Sequence, residues 1–168
     1  GMLTRTESGT KRTILNECNL LASIALPKNT FFNTPQKTYI LVLEKRHTEA
    51  DERPPVFCGI AKSIGETLDY RRHPTPEANI LDNIADEFVN WQAGIDPTSI
   101  YSRTANAEEF TQFDRWDVLR FWDDSELVEI GEREPALERN EFIDEAELQL
   151  SEVLQELTNA KNDLTSLS

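Results

Sequence analysis

Few side chains in this sequence combine a type and a placement suited to chemistry. Phe31 and Phe32 stand side by side in the polar stretch LPKNTFFNTPQKT, residues 26 to 38, between the apolar runs LLASIAL and TYILVL. Such a pair either offers a flat face for stacking or covers the end of a β-hairpin. Both readings stand on the sequence. Cys18, Cys58, His47 and His73 show no metal-ligand spacing, so the two thiols read as small core residues. Near the other end, Ile143, Ala146, Leu150, Val153, Leu157, Ala160, Leu164 and Leu167 recur at alternating steps of three and four, a heptad seam that wants another helix. Leu154 widens the stripe, so the partner is either a second chain or the helix's own domain. Ala146 and Ala160 would let a partner helix come close.

Those residues sit in a chain of 168 with a net charge of −14. Residues 1 to 76 carry 11 Lys/Arg against 8 Asp/Glu, net +3; residues 77 to 168 carry 6 against 23, net −17. Duplex DNA is bound by neutralising phosphates, so the acidic half suits a protein partner better, unless it is simply a solvated surface. At this length one domain, or a small one with an appendage, can bury roughly 70% of its unfolded surface. Gly1 ahead of Met2 reads as the remnant of a cleaved tag, and the residues after Met2 match neither a signal peptide nor a transit sequence. No run approaches the roughly 20 apolar residues of a membrane span. The expectation is a soluble, cytoplasmic protein with no membrane partner.

Local pattern gives the helices and strands on which these residues are carried. TKRTILNEC fits a short helix, and NLLASIALP is a continuous apolar run, as in a strand buried on both faces of a largely parallel sheet. KTYILVLEK is rich in β-branched and aromatic residues, RHTEADERPP has the marks of an exposed loop, and PVFCGIAKSIG reads as a third strand. The clearest helix begins at Thr75 as cap with Pro76 in its first turn and ends at Gly94. Its stripe of Ile80, Ile84, Phe88 and Trp91, with Leu81 beside it, should lie against the sheet. Residues 96 to 131 read as irregular or as short helices, with Trp116, Phe121 and Trp122 as anchors of a satellite core. The domains expected are an α/β half-domain over 2–100 and an acidic, mostly helical region over 101–168 that ends in the seam helix, 140–167.

The order LLASIALPKNTFFNTPQKTYILVLEKR, followed by a short strand and the helix NILDNIADEFVNW, resembles the modification (M) subunits of type I restriction-modification systems, which are adenine-N6 DNA methyltransferases. In that family an LP closes a central strand, a Phe-containing turn follows, and a KT-x-ILVL strand forms the late hairpin of a Rossmann-like sheet. Leu26-Pro27, Phe31-Phe32 and Lys37-Thr38 through Leu43 match that arrangement, within a likeness that covers about residues 12 to 92. The resemblance implies an α/β fold that is part of a Rossmann-like methyltransferase sheet, and S-adenosylmethionine as the cofactor of the complete enzyme. It implies that Phe31 or Phe32 replaces the stacking lost by an adenine flipped from the duplex, worth about 1 to 3 kcal/mol.

The family's chemical motifs are missing from this chain. No G-x-G pair occurs among Gly1, Gly9, Gly59, Gly65, Gly94 and Gly131, although the cofactor needs a Gly-rich turn after a strand. Methyl transfer needs an Asn/Asp/Ser-Pro-Pro-aromatic loop, and in RPPVF Arg53 replaces the acceptor while Val56 replaces the aromatic. Two functions remain in view. One is the C-terminal portion of a methyltransferase that binds no cofactor alone, has no activity alone, meets DNA only within a complete complex, and docks through its tail onto a specificity subunit or the catalytic portion. The other is a stand-alone interaction protein that uses a methyltransferase-like scaffold, pairing through the tail with a second copy of itself. The segment TSIYSRTANAEEFTQFDRWDVLRFW is weakly similar to the junction by which some methylases continue into a target-recognition region.

Overall fold

A computed structural model describes residues 8–32, 34–47, 52–112, 116–135 and 147–156. The chain forms two compact units, Gly1–Arg133 and Glu134–Ser168. The first is a mixed α/β unit built on a four-stranded sheet. Helix α1 (Ser8–Glu17) runs into β1 (Cys18–Ala25), which is followed by β2 (Tyr39–Lys45), β3 (Val56–Ile60), α2 (Ile80–Gln92), β4 (Ser102–Ala105), α3 (Ala107–Gln112) and α4 (Asp124–Ile130). Short 3-10 turns lie at Pro76–Ala78 and Leu119–Phe121.

The sheet order is β2-β1-β3-β4. β1 pairs antiparallel with β2 and parallel with β3, and β3 pairs antiparallel with β4. The expected burial of β1 on both faces is found, but the sheet is mixed rather than largely parallel, because the turn after Pro27 returns the chain directly as β2. A register shift between Leu20 and Ala22 changes the phase of β1. Leu20 therefore joins one core layer while Ala22 and Ile24 join the other.

β3 shows the two layers most simply, since all five of its residues are buried. Val56, Cys58 and Ile60 face a core with Phe110, Trp116, Val118, Trp122, Leu127 and Ile130. Phe57 faces a core with Ile84, against which Ile80, Leu81, Phe88 and Trp91 of α2 pack. The α2 stripe thus lies on the sheet as its spacing predicts. A Cβ at Gly59 would come within 3.0 Å of Ile84 and 3.3 Å of Ile24, so the missing side chain is what lets α2 approach so closely.

Two expectations need correction here. Residues Pro76–Ala78 form a 3-10 turn, and α2 takes Asn79 as its N-cap, whose side chain accepts from the Asp82 amide at 3.4 Å. Ser63, in the loop after β3, binds Ala78 and accepts from the Ile80 amide, which fixes the break between turn and helix. The segment read as irregular after Gly94 supplies a strand, β4, and its tryptophans belong to the main core. Trp116 is fully buried, with its indole donating to the Phe110 carbonyl and its own carbonyl accepting from Ser23 of β1. Trp122 is buried and donates to the Ile100 carbonyl, while Phe121 is half-buried against the same cluster. Asp123 and Glu126 form a capping box that starts α4 there, and Gly131 in the left-handed region ends it.

In the second unit the described residues 147–156 are helical. Leu148, Leu150, Val153 and Leu154 are exposed on it. Of the heptad seam, Leu150 and Val153 lie on these residues; Ile143, Ala146, Leu157, Ala160 and Leu164 lie outside the described residues. Among the described residues no helix is long and apolar enough to cross a membrane.

Candidate functional site

In an open α/β sheet, ligands gather outside the carboxyl ends of parallel strands, where successive loops splay apart. β1 and β3 are the parallel pair, and their carboxyl ends lead into the turn over 26–38 and the loop over 61–75. The turn closes when the Leu26 amide donates to the Thr38 carbonyl at 2.8 Å. Inside it Asn29 takes φ +63, a conformation that Asn tolerates better than most residues. Thr30 donates its hydroxyl to the Pro27 carbonyl at 2.7 Å, and the Thr34 amide donates to the Phe31 carbonyl at 3.1 Å. Phe31 is 55% exposed and Phe32 68%.

The loop over 61–75 is equally tied. Thr67 donates its amide to the His73 carbonyl, Thr75 donates to Gly65, and Glu66 bridges to Pro74. Gly65 adopts φ +78, where an L side chain is strained, and an added Cβ would lie 2.9 Å from Asn79. At the tip one carboxylate oxygen of Asp69 accepts from the amides of Arg71, at 2.8 Å, and Arg72, at 3.0 Å. These backbone bonds hold the Asp69 carboxyl below its ordinary range.

The two segments meet through Arg72. Its guanidinium lies 4.6 Å from the centre of the Phe32 ring, donates to the Asn29 carbonyl at 2.6 Å and pairs with Glu66 at 3.4 Å. Tyr70 stands edge-on to Phe32 at 6.4 Å and is itself 90% exposed. The sequence places Phe31 and Phe32 together in one polar turn, and the structure has both exposed there. The sequence gives no sign of Tyr70 or Arg72, because they come from a polar loop some forty residues away.

Other candidate residues serve the scaffold. Arg53 of RPPVF donates to the Leu15 carbonyl at 2.7 Å and the Cys18 carbonyl at 3.4 Å, a clamp on the end of α1. Burial, with Arg46 nearby, lowers its pKa. Cys58 is buried, as expected of a core thiol, whereas Cys18 is only half-buried. Tyr39 donates to Asp117 at 2.9 Å, and burial followed by that carboxylate raises the phenol's pKa. Lys37 pairs with Glu132, so the end of the turn is tied to the stretch after α4. Of the described glycines, Gly9 lies in α1, Gly59 within β3, Gly65 in the loop, and Gly94 and Gly131 after helices.

The arrangement is an exposed aromatic pair at the carboxyl ends of two parallel strands, with a guanidinium over one ring, Phe32. It can stack a flat ligand. A family model described as N-6 DNA Methylase matches residues 1–122. No curated protein matches the chain. A solved chain described under "Structural basis underlying complex assembly and conformational transition of the type I R-M system" is similar over 97% of this chain, at 18% identity and a TM-score of 0.45. This chain spans 34% of that one. The matched residues 1–122 include the whole sheet, α2 and the aromatic turn, and the chain belongs to the N-6 DNA methylase family.

Proposed function

We propose that this chain is the C-terminal part of an adenine-N6 DNA methyltransferase of the type I restriction-modification kind, a portion of its modification subunit, and that it works by assembly. Beyond family membership, the observation that carries this reading is β2. Tyr39, Ile40, Leu41, Val42 and Leu43 are apolar or aromatic at every position, the composition of a strand enclosed in a sheet. Yet β2 is the outermost strand, and Ile40 and Leu43 are exposed. Edges of this kind pair readily with another strand. The partner proposed is a strand of the catalytic portion, which would complete a Rossmann-like sheet.

The family usually uses S-adenosylmethionine. The residues present here do not fit it: the loop from β3 into α2 holds a single glycine, Gly65, no G-x-G pair occurs in the sequence, and the one Pro-Pro pair is preceded by an arginine already clamped to α1. Cofactor binding and methyl transfer are therefore assigned to the catalytic portion. Within the complete enzyme Phe31 and Phe32 supply the stacking face for the extruded adenine. The helix through Leu150 and Val153, both exposed, continues the heptad seam and contacts a specificity subunit.

Calorimetry tests the assignment. The chain alone should give no saturable heat with S-adenosylmethionine, and micromolar binding refutes the missing-site account. Adding a domain that carries the Gly-rich turn and the Asn/Asp-Pro-Pro-aromatic loop should give cofactor-dependent methylation of adenine in DNA. Activity equal with and without this chain removes its role in assembly.

A further inference from the structure

The loop over 65–75 plays no part in that reading, yet its tip presents Tyr70 almost wholly to water beside Phe32. Two Asp69 hydrogen bonds, the Glu66–Pro74 bridge and the Thr75–Gly65 bond hold the tip in place. The ring's exposure is thus built into a braced loop. Arg72 turns inward to Phe32, Asn29 and Glu66, whereas Arg71 and Lys28, from the two segments that Arg72 joins, are exposed. Residues 26–37 and 62–73 carry Lys28, Lys37, Lys62, Arg71 and Arg72 against Glu66 and Asp69, net +3 in a chain of −14. Glu66 is paired with Arg72, Lys37 with Glu132, and Asp69 with the loop's own amides, so the cations on which the contact turns are Lys28 and Arg71.

We infer that the tip of this loop is a DNA-strand contact: Tyr70 extends the stacking face begun by Phe32, and Arg71 and Lys28 bind phosphates of the same strand. Exposed aromatics interleaved with cations are what a splayed single strand requires, since each base offers a π-face and each linkage a charge. Arg72 is a positioning residue that sets the angle of Phe32 and joins the two segments. The inference rests on the base-stacking reading of Phe31 and Phe32 and adds the side of the site that receives the neighbouring nucleotide.

The test is an NMR titration of the full chain, isotope-labelled, with a short adenine-containing single-stranded deoxyoligonucleotide at low ionic strength. Shifts should cluster at 28–32 and 66–74. Tyr70→Ala, an exposed change whose fold the same spectra verify, should weaken binding about fivefold or more, the lower end of one stacked base. Lys28→Ser with Arg71→Ser should lower the slope of log K against log salt by about 1.4, two single-strand phosphate contacts. Shifts at 28–32 with 66–74 silent overturn the loop contact and leave the stacking face standing. Shifts at 66–74 with Phe31 and Phe32 silent keep the loop contact and overturn the stacking face. No shift anywhere, in the chain alone and in its complex with the catalytic portion, or the same shifts with polyglutamate, overturns the loop contact outright.

Discussion

Cys58 and Gly65 show how much single positions depend on surroundings that lie far away in sequence. Burial pushes the Cys58 thiol up to about 12 from 9.0, against a weaker opposing pull from Arg120 and Arg103. Between those values the unfolded chain has lost a proton that the folded chain keeps, so stability falls as pH rises. Denaturation midpoints followed across the alkaline range should fall, and Cys58→Ala should flatten that decline. A thiol reagent at neutral pH should label Cys18 in the native protein and Cys58 only on unfolding. Gly65 is held at φ +78 against Asn79. Gly65→Ala should lower stability by about 1–3 kcal/mol, read as a shift in the urea midpoint, and should loosen the brace beneath Tyr70.

At the scale of elements, α2 is held by more than its apolar stripe. Glu87, beside that stripe and one turn on from Ile84, accepts from the Thr98 amide at 3.1 Å, the Ser99 amide at 2.9 Å and the Ser99 hydroxyl at 2.7 Å, and so pins the segment that leads into β4. Desolvation pushes the Glu87 carboxyl upward, but the neighbouring Ser102 hydroxyl and the bonds from Ser99 and Thr98 together outweigh it and hold the pKa below the ordinary 4.5. A lowered carboxylate contributes stability that is present above its unfolded pKa and lost as pH falls through the folded one. Glu87→Gln should therefore cost about 1 kcal/mol near neutrality, kept small because the group is partly solvated, and the difference should vanish on acidification. Chemical denaturation of both proteins at neutral and acid pH reads this directly. The short β4 shows why element boundaries are hard to read locally. Its residues, Ser102, Arg103, Thr104 and Ala105, carry no run of apolar or β-branched side chains. They form a strand because β3 offers them a ladder and Trp91 of α2 donates to Thr104 at 3.0 Å.

For the whole molecule, the question is what the outer edge of β2 and the helix through 147–156 meet. Leu150 and Val153 are exposed, and the seam they belong to was legible only as a spacing of three and four. Replacing Leu150 and Leu157 with Glu should shift a dimer to monomer, or abolish capture of the proposed specificity subunit, in light scattering and pull-down. Unchanged mass and capture would leave the seam as core within its own unit. The acidic balance of the second half sets the expected sign of its partner's surface.

Everything carried by local pattern was already present in the order of residues. Unbroken apolar runs marked β1 and β2, a 3.6-residue stripe marked α2, and the polar turn held Phe31 and Phe32 together. Pairings between residues brought together from far apart had to wait for the folded chain. Arg72 reaches Asn29 across 43 positions, Ser23 reaches Trp116 across 93, and Arg53 closes α1 across 38. Such pairings leave no periodic trace, because a guanidinium or hydroxyl looks the same in the sequence whether it faces water or a distant carbonyl. For that reason Phe31 and Phe32 could be named from the sequence, while Arg72 and Tyr70 beside them could not.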